Sequence, residues 1–396
     1  MISGVNSSIE VLLIVEADIA TTQLTEQLLS ECSNFCIKYK KVYLADLDQN
    51  FFSDSALPLF VRTVDPVAIS WMRSLRASNI PYFFYIDDNF WLINGETPLA
   101  KYYQHPIIRR SLKYAVENAT FVITNSAPLK DFILPKNRNT TLLPAFFDFS
   151  LLLPYKVKSV SEYRIGFAGS PSRDADLEVL KDVIPYFLAQ RNDVVFEFVG
   201  CLPKWLEQGP RVRFFGHMNS YEEYVAFQLQ RGWKIGLAPL GDKESNRYKT
   251  NNKYREYSAF RCAGVYTYSE SYVGSVADGV TGLLIKNNTA ASWIASIQRY
   301  LDDEKSRVSI VEQAYNDVYR RFDIVVVAAQ WAALFQRGAS LLSNSKTLPV
   351  RNSLFGNFVR RLSHYWLLVE VSMYEGGLKL TFSRALKKIS RLFERN

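Results

Sequence analysis

The sequence predicts an α/β protein with two separate parallel β-sheets. Two series of short apolar segments alternate with helix-like segments, one before and one after a loop near Tyr155–Ser161. Alternation of this kind is typical of parallel strands joined by crossover helices. The chain has 396 residues, 48% of them hydrophobic, which is more than a single core usually holds. We therefore expect two domains of ordinary size.

The first 150 residues contain six predicted strands and three clear helices. The strands are Val11–Glu16, Val42–Ala45, Val61–Val64, Tyr82–Ile86, Phe121–Thr124 and Thr141–Pro144. The helices are Thr22–Ser30, Pro66–Leu75 and Pro106–Val116. This order predicts a doubly wound, Rossmann-like domain over residues 1–150.

A second series predicts another Rossmann-like domain over residues 156–335. Its strands are Arg164–Ala168, Val194–Val199, Val212–Phe215, Lys234–Ala238, Val265–Tyr268 and Gly282–Ile285. Its helices are Ala175–Gln190, Tyr221–Leu229, Asn251–Cys262 and Ile324–Phe335. We expect Asn251 or Thr250 to cap the third of these helices and Gly264 to end it in a left-handed conformation.

Residues 340–396 are predicted to form a polar linker and a basic amphipathic helix. From Arg351 to Asn396 nine Lys and Arg face three Glu, so +6 of the net charge of +8 lies here. Five apolar residues follow helical spacing: Leu378, Phe382, Leu386, Ile389 and Phe393. Such a helix, over 378–393, either lies on an anionic membrane surface or packs back on the first domain.

Composition narrows the function classes. Outside the tail the net charge is only +2, which argues against nucleic-acid binding by the main body. The four cysteines and three histidines are scattered, so no metal site is expected and a reduced compartment is indicated. The start of the chain lacks the pattern of a signal peptide, and no apolar run reaches the about 18 residues that a membrane span needs. We expect a cytoplasmic protein, with the inner face of the plasma membrane as the alternative.

The most informative segment lies between Lys234 and Ile285. Lys249, Lys253 and Glu256 follow i, i+4, i+7 spacing and share one helical face if the first turn reaches back to Lys249. Cations at a helix N-terminus favour a diphosphate, and a carboxylate one turn deeper can accept hydrogen bonds from ribose hydroxyls. The alternative is a surface helix with an ordinary Lys/Glu pair.

This segment resembles the nucleotide-sugar site of retaining family-four glycosyltransferases of GT-B fold, whose two Rossmann-like domains face each other. The matching elements are Lys249-Thr250, Lys253, Glu256, Gly264, Tyr272 and the turn Gly279-Val280-Thr281-Gly282-Leu283. The family's usual pair of glutamates is eight residues apart, and the first of these positions is Tyr248 here. This departure leaves the donor sugar open.

Two further loops are candidates for ligand contact. After the first strand of the second domain, Gly169, Ser170 and Arg173 are predicted to approach a phosphate, and in the family this loop faces the nucleotide. In the first domain Asp87 and Asp88 follow a strand, where ligands bind in open α/β sheets. The alternatives are an ordinary glycine turn and two acids that cap a loop.

The resemblance implies a hexosyltransferase-like enzyme that moves a sugar from a nucleotide-diphosphate sugar to a saccharide or lipid-linked saccharide, with retention of configuration. Lys249, Lys253 and Arg173 would stabilise the departing diphosphate without a metal or other cofactor, and Glu256 would hold the ribose. Asp88, with Asp87 and His105 as further candidates, would face the acceptor. Polysaccharide biosynthesis at the cell envelope fits this expectation. Two other classes stay open: a nucleotide-sugar epimerase of the same fold and a non-catalytic saccharide-binding or scaffold protein.

Overall fold

The computed structural model describes residues 8–52, 56–155 and 162–342, and in the tail residues 362, 366, 369, 370, 372–374 and 377–384. The chain forms two compact units. The first unit combines Met1–Leu143 with Ala328–Asn396, and the second unit is Pro144–Val327. The chain therefore returns to the first unit at residue 328, and residues 328–335, expected in the second domain, belong to the first unit.

The first unit is built on a six-stranded parallel sheet in the order β2-β1-β3-β4-β5-β6. The strands are β1 Ile9–Val15, β2 Ile37–Tyr43, β3 Ala56–Val61, β4 Phe83–Ile86, β5 Phe121–Thr124 and β6 Thr140–Leu142. The helices between them are α1 Ala20–Glu31, α2 Pro66–Ala77, α3 Pro98–Gln104, α4 Pro106–Asn118 and α5 Ala127–Ile133. Strand β3 ends earlier than predicted because Arg62 has a φ of 52°, which an extended strand cannot accommodate.

The second unit contains another six-stranded parallel sheet, in the order β12-β11-β10-β7-β8-β9. The strands are β7 Tyr163–Ala168, β8 Val194–Val199, β9 Val212–Phe215, β10 Ile235–Ala238, β11 Ala263–Thr267 and β12 Leu283–Ile285. The helices are α6 Val183–Gln190, α7 Tyr221–Arg231, α8 Asn252–Ala259, α9 Glu270–Val273, α10 Ala290–Asp302 and α11 Glu304–Phe322. A further helix, α12 Ile324–Ala339, begins in the second unit and continues into the first. The predicted fold class, with two separate parallel α/β sheets, is confirmed.

The end of α8 differs from the prediction. The helix ends at Ala259, and the left-handed residue that follows is Arg261, with a φ of 56°. Gly264 instead lies inside β11, opposite Gly236 of β10. The guanidinium of Arg261 pairs with Glu312 and lies 4.1 Å from the ring of Tyr315, and these contacts hold a side chain where glycine was expected. The prediction for Gly264 was therefore wrong.

A row of three glycines crosses the second sheet. Gly166, Gly236 and Gly264 are neighbours on β7, β10 and β11. A Cβ at Gly236 would lie 2.6 Å from the ring of Tyr257, a residue of α8, and one at Gly166 would lie 2.0 Å from the ring of Trp233. The Tyr257 hydroxyl donates to the Leu237 carbonyl at 2.7 Å. Gly236 thus lets α8 pack directly on the strands, and Gly166 leaves room for the Trp233 ring.

The same row continues into a buried charge cluster around Glu197 of β8, which pairs in register with Gly166 and with Arg213 of β9. Glu197 is fully buried. Its carboxylate accepts hydrogen bonds from Arg213 at 3.3 Å and from Arg231, and from the Trp233 indole at 2.8 Å. A charge buried inside a protein usually needs hydrogen-bonding and oppositely charged partners of this kind.

Some of the described tail residues are buried and others are exposed to solvent. Ser372 is buried, and its hydroxyl accepts a hydrogen bond from Arg384 at 2.9 Å. Leu378 and Phe382 lie in a helical segment, and 76% and 70% of these residues are exposed. The other members of the predicted apolar stripe, Leu386, Ile389 and Phe393, and most of the predicted linker lie outside the described residues.

Candidate functional site

Lys253 and Glu256 lie on one face of α8. The Lys253 ammonium is 2.9 Å from Glu256 Oε2, and both side chains are largely buried. The hydroxyl of Tyr221, at the start of α7, donates to Glu256 Oε1 at 3.5 Å. This arrangement is the i, i+3 contact expected from the spacing. It places a cation, a carboxylate and a phenol together near the first turn of α8.

Lys249 lies outside α8, which corrects the assumption that the helix reaches back to it. Its backbone is extended, with φ −69° and ψ 152°, and it directly follows a 3₁₀ segment, Glu244–Tyr248. Asn251 occupies the N-cap position as predicted, but its side chain contacts Ser275 and Arg255. Lys249 therefore belongs to the loop before the helix N-terminus.

The first turn of α8 is fixed by Arg255, a residue that sequence reasoning missed. Arg255 is 6% exposed, and its guanidinium donates to the Phe146 carbonyl and to the side chains of Asn251 and Asn252. A guanidinium presents five N–H donors in a rigid fork, so one side chain can hold three acceptors in place. One of these acceptors, the Phe146 carbonyl, is 109 residues away in sequence.

The loop after β7 carries the other predicted donor contacts. Gly169 donates its N–H to the Val199 carbonyl at 3.0 Å, and a Cβ there would lie 2.8 Å from the ring of Phe167. Ser170 shares a hydrogen bond with Ser172 at 2.7 Å. Arg173 is held by an ion pair with Asp176, 2.7 Å apart. Packing against Phe167 thus requires glycine at position 169, and the same lack of a side chain leaves the backbone open to a ligand.

Tyr272 of α9 is influenced by charges on both this loop and α8. Burial raises the pKa of Tyr272, while the charge of Arg173 lowers it and the charge of Glu256 raises it. Both charges therefore lie within electrostatic range of one buried hydroxyl. The structure brings Arg173, Lys253 and Glu256 to the same edge of the second sheet, where parallel strands end and ligands bind in such folds.

In the first unit the two predicted acids differ in their surroundings. The Asp87 carboxylate is 2.7 Å from Arg62 Nε and accepts a hydrogen bond from the Thr21 hydroxyl at 2.7 Å. The Arg62 guanidinium also lies 4.5 Å from the ring of Phe90. Asp88 accepts from the backbone N–H of Asn89 at 2.8 Å. Asp87 thus tightens the loop.

His105 is a buried helix cap. It stands at the junction of α3 and α4, and its Nδ1 accepts from the Ile107 N–H at 3.4 Å. Its ring centroid is 5.0 Å from that of Tyr374, and its Nε2 is 3.8 Å from Glu370. These contacts join the tail to the junction of α3 and α4. They give His105 a structural role that does not involve an acceptor substrate.

Glu16 is a candidate that the sequence analysis passed over as the last residue of a strand. It follows β1, and its Oε1 accepts from the N–H groups of Val64 and Asp65 at 2.6 and 2.8 Å, while the Tyr102 hydroxyl donates to Oε2 at 3.2 Å. Glu16 as a whole residue is exposed, yet its carboxylate is enclosed by these three donors, and desolvation and then the charge of Asp65 raise the pKa of Glu16 to about 7. Such a shifted acid at a strand end marks a functional candidate.

The described residues lack two further kinds of feature. No group of three His, Cys, Asp or Glu side chains in the described ranges is arranged to bind a metal ion. No helix in the described part of the chain is long and apolar enough to cross a membrane.

Part of the second unit is similar to a known protein family. Residues 162–303 match a family model described as glycosyl transferases group 1. Over this segment the chain is similar to the group 1 glycosyl transferases. The match contains the loop with Arg173, the whole of α8 and the turn at Gly279. A comparison of the whole chain with curated protein sequences gives no significant match.

Solved structures with the GT-B fold match most of the chain. HepE from Anabaena, crystallised with UDP, is 13% identical with a TM-score of 0.62, and the match covers 83% of this chain and 100% of HepE. A Rickettsia africae glycosyltransferase is 13% identical with a TM-score of 0.61, over 85% and 100% of the two chains. Sucrose-phosphate synthase from Thermosynechococcus elongatus is 15% identical with a TM-score of 0.52, over 83% and 98%. At these identities the likeness establishes the fold.

Proposed function

We propose that this protein is a glycosyltransferase that takes a sugar from a nucleotide-diphosphate sugar and transfers it, with retention of configuration, to a saccharide or lipid-linked saccharide. The observation that carries the proposal is that Arg173 follows β7 while Lys253 and Glu256 pair on α8, which follows β10 of the same parallel sheet, within the segment similar to group 1 glycosyl transferases. HepE, of the same fold, has been crystallised with UDP, with UDP-glucose and with UDP and glucose. A uridine nucleotide is therefore the first donor to test.

The site residues have different roles in donor binding. Arg173, Lys249 and Lys253 stabilise negative charge on the departing diphosphate, a role that needs no metal ion. Glu256 accepts hydrogen bonds from the ribose hydroxyls. In the free protein the Lys253 ammonium rests on Glu256, so donor binding exchanges this internal ion pair for contacts with phosphate and ribose.

The experiment that tests the proposal is a thermal-shift screen of UDP-, GDP-, dTDP- and CMP-sugars, run with and without EDTA. A ligand at a hundred times its dissociation constant adds about 2.7 kcal/mol to the stability of the native state. We expect one nucleotide class to raise the melting temperature equally in both conditions. Consumption of the donor without any acceptor, giving an epimer, would assign the epimerase reaction instead, and no shift with any donor would contradict the proposal.

We expect Asp88→Asn to slow sugar transfer while donor affinity stays unchanged. Asp88 follows β4 in the first unit, which we assign to the acceptor, and a carboxylate there can orient an acceptor hydroxyl. General-base contributions are typically about 100-fold or more in rate. Asp87→Asn is the matched control, because Asp87 pairs with Arg62 and its loss should lower stability. Equal loss of donor binding and transfer in Asp88→Asn would make that residue structural.

The pH dependence of transfer should report on Glu16. Because its pKa is raised to about 7, Glu16 is ionised only above that pH, so a step that uses its carboxylate weakens as pH falls below it. The variant Glu16→Gln should be slow at pH 8 and should lack this decline below pH 7. An unchanged acidic limb in the variant would assign the titration to another group.

The tail is proposed to hold the enzyme at an anionic membrane surface, from the cytoplasmic side. Leu378 and Phe382 are exposed, and the segment from Arg351 carries +6. Deleting residues 377–396 should abolish cosedimentation with anionic vesicles and leave the melting temperature unchanged. High salt should weaken binding of the full chain, since screening shortens to about 3 Å at 1 M. Equal vesicle binding by both chains would contradict the assignment, and a lower melting temperature would favour packing on the first unit.

A further inference from the structure

The strongest feature outside the predicted site is a buried carboxylate at Asp176. It lies in the 3₁₀ segment Pro171–Leu180 and is 6% exposed. Its Oδ2 is 2.7 Å from Arg173 Nη1. Its Oδ1 accepts from the Gly241 N–H at 2.9 Å and from Asn246 Nδ2 at 3.2 Å. One side chain therefore ties the loop after β7 to two points in the segment after β10.

Asn246 completes this arrangement. It is 5% exposed, and its Nδ2 also donates to the Gly241 carbonyl at 2.8 Å. Its backbone carbonyl accepts from the Ser271 hydroxyl at 2.8 Å, which adds the start of α9. Because Asn246 lies in the 3₁₀ segment that leads directly to Lys249, the contacts of Asp176 also fix the approach of that lysine to the site.

The physical effect on Arg173 follows from its charge and length. A free arginine side chain samples many rotamers, and ordering it on a ligand costs conformational entropy. The ion pair with Asp176 removes that cost before the ligand arrives, and it leaves other guanidinium N–H groups to donate. Asp176 partly neutralises Arg173, so its contribution is orientation of the cation and not added positive charge.

We infer that Asp176 is a positioning residue for the diphosphate of the donor, acting through Arg173. The inference rests on the proposed function, since it presupposes that Arg173 meets a nucleotide diphosphate. The substitution Asp176→Asn isolates the effect. Asparagine keeps an oxygen for Gly241 and Asn246 and loses the charge that holds Arg173.

The test is a double-mutant cycle of Arg173→Ala, Asp176→Asn and the combined variant, with UDP affinity and the rate of transfer measured in each. Asp176→Asn alone should weaken UDP binding about tenfold, because a charge-assisted hydrogen bond no longer orients the guanidinium. In the Arg173→Ala background the same change should have less than about a twofold effect, because residues that act through one contact are not additive.

The outcomes separate the inference from the function on which it rests. Normal binding by the wild type with additive losses in the cycle would overturn the positioning role, and Asp176 would then be a structural residue of the loop. Absence of UDP and nucleotide-sugar binding by the wild type would overturn the proposed function itself. The cycle compares variants within each background, so a purely structural contribution of Asp176 cancels. Melting temperatures of the ligand-free variants measure that contribution separately.

Discussion

Replacing Glu197 with alanine should lower the stability of the second unit by about 3 to 5 kcal/mol, the usual cost of removing one partner from a buried ion pair. Glu197 is fully buried and accepts from Arg213, Arg231 and the Trp233 indole. Its loss leaves arginine charge and an indole N–H without their acceptor inside the unit, a penalty larger than the net value of the contacts.

Glu162 provides a matched control because it pairs with Arg164 and Arg213, which also contact Glu197, while its side chain is 35% exposed. The hydrogen bond from Arg213 lowers the pKa of Glu162 to about 2, yet solvent screening at this exposure limits the effect of Glu162→Ala to about 1 kcal/mol. Amide exchange of β8 measures the stability of this unit alone. Unchanged exchange in Glu197→Ala would show that the cluster does not stabilise the unit.

The variants Lys253→Ala and Glu256→Ala should each weaken donor binding by about 1 to 3 kcal/mol, the cost of leaving a buried polar partner unsatisfied. Each removes one contact to the nucleotide and also breaks the 2.9 Å ion pair in the free protein. Titration calorimetry with UDP and the best donor from the screen is the measurement.

The exposed pair of Glu178 and Lys181 is the control, since it has the same i, i+3 spacing in the same unit. Alanine at either control position should leave donor affinity unchanged, because neither residue belongs to the proposed site. Wild-type affinity in both Lys253→Ala and Glu256→Ala would remove the donor site from α8.

Much of the fold was predictable because many of its strands are marked by local sequence patterns. Phe121–Thr124, Val194–Val199 and Val212–Phe215 were predicted with the bounds that the structure shows, since each is a short apolar or alternating run between polar turns. Strand β3 was placed several residues late. It contains Pro58, which cannot donate a ladder hydrogen bond and so obscures a strand, and its end is set by the backbone of Arg62.

The candidate site was predictable only where its contacts are local. The contact of Lys253 with Glu256 follows from helical spacing, and the structure shows it. The placement of Lys249 on the helix was wrong, since α8 begins at Asn252 and Asn251 is its N-cap. Arg255, in the first turn, bonds to Phe146, which is 109 residues away in sequence. Asp176 was missed because its partners Gly241 and Asn246 are 65 and 70 residues away. Periodicity within a short window carries no information about such contacts.

The most direct measurement of the central claim is amide hydrogen exchange of the whole chain with and without UDP. The proposed donor site predicts slower exchange on binding in two segments of the second unit, residues 168–173 after β7 and residues 241–256 through the first turns of α8. Protection confined to residues 8–143, or unchanged exchange in both segments at saturating UDP, would contradict a nucleotide-sugar site in the second unit.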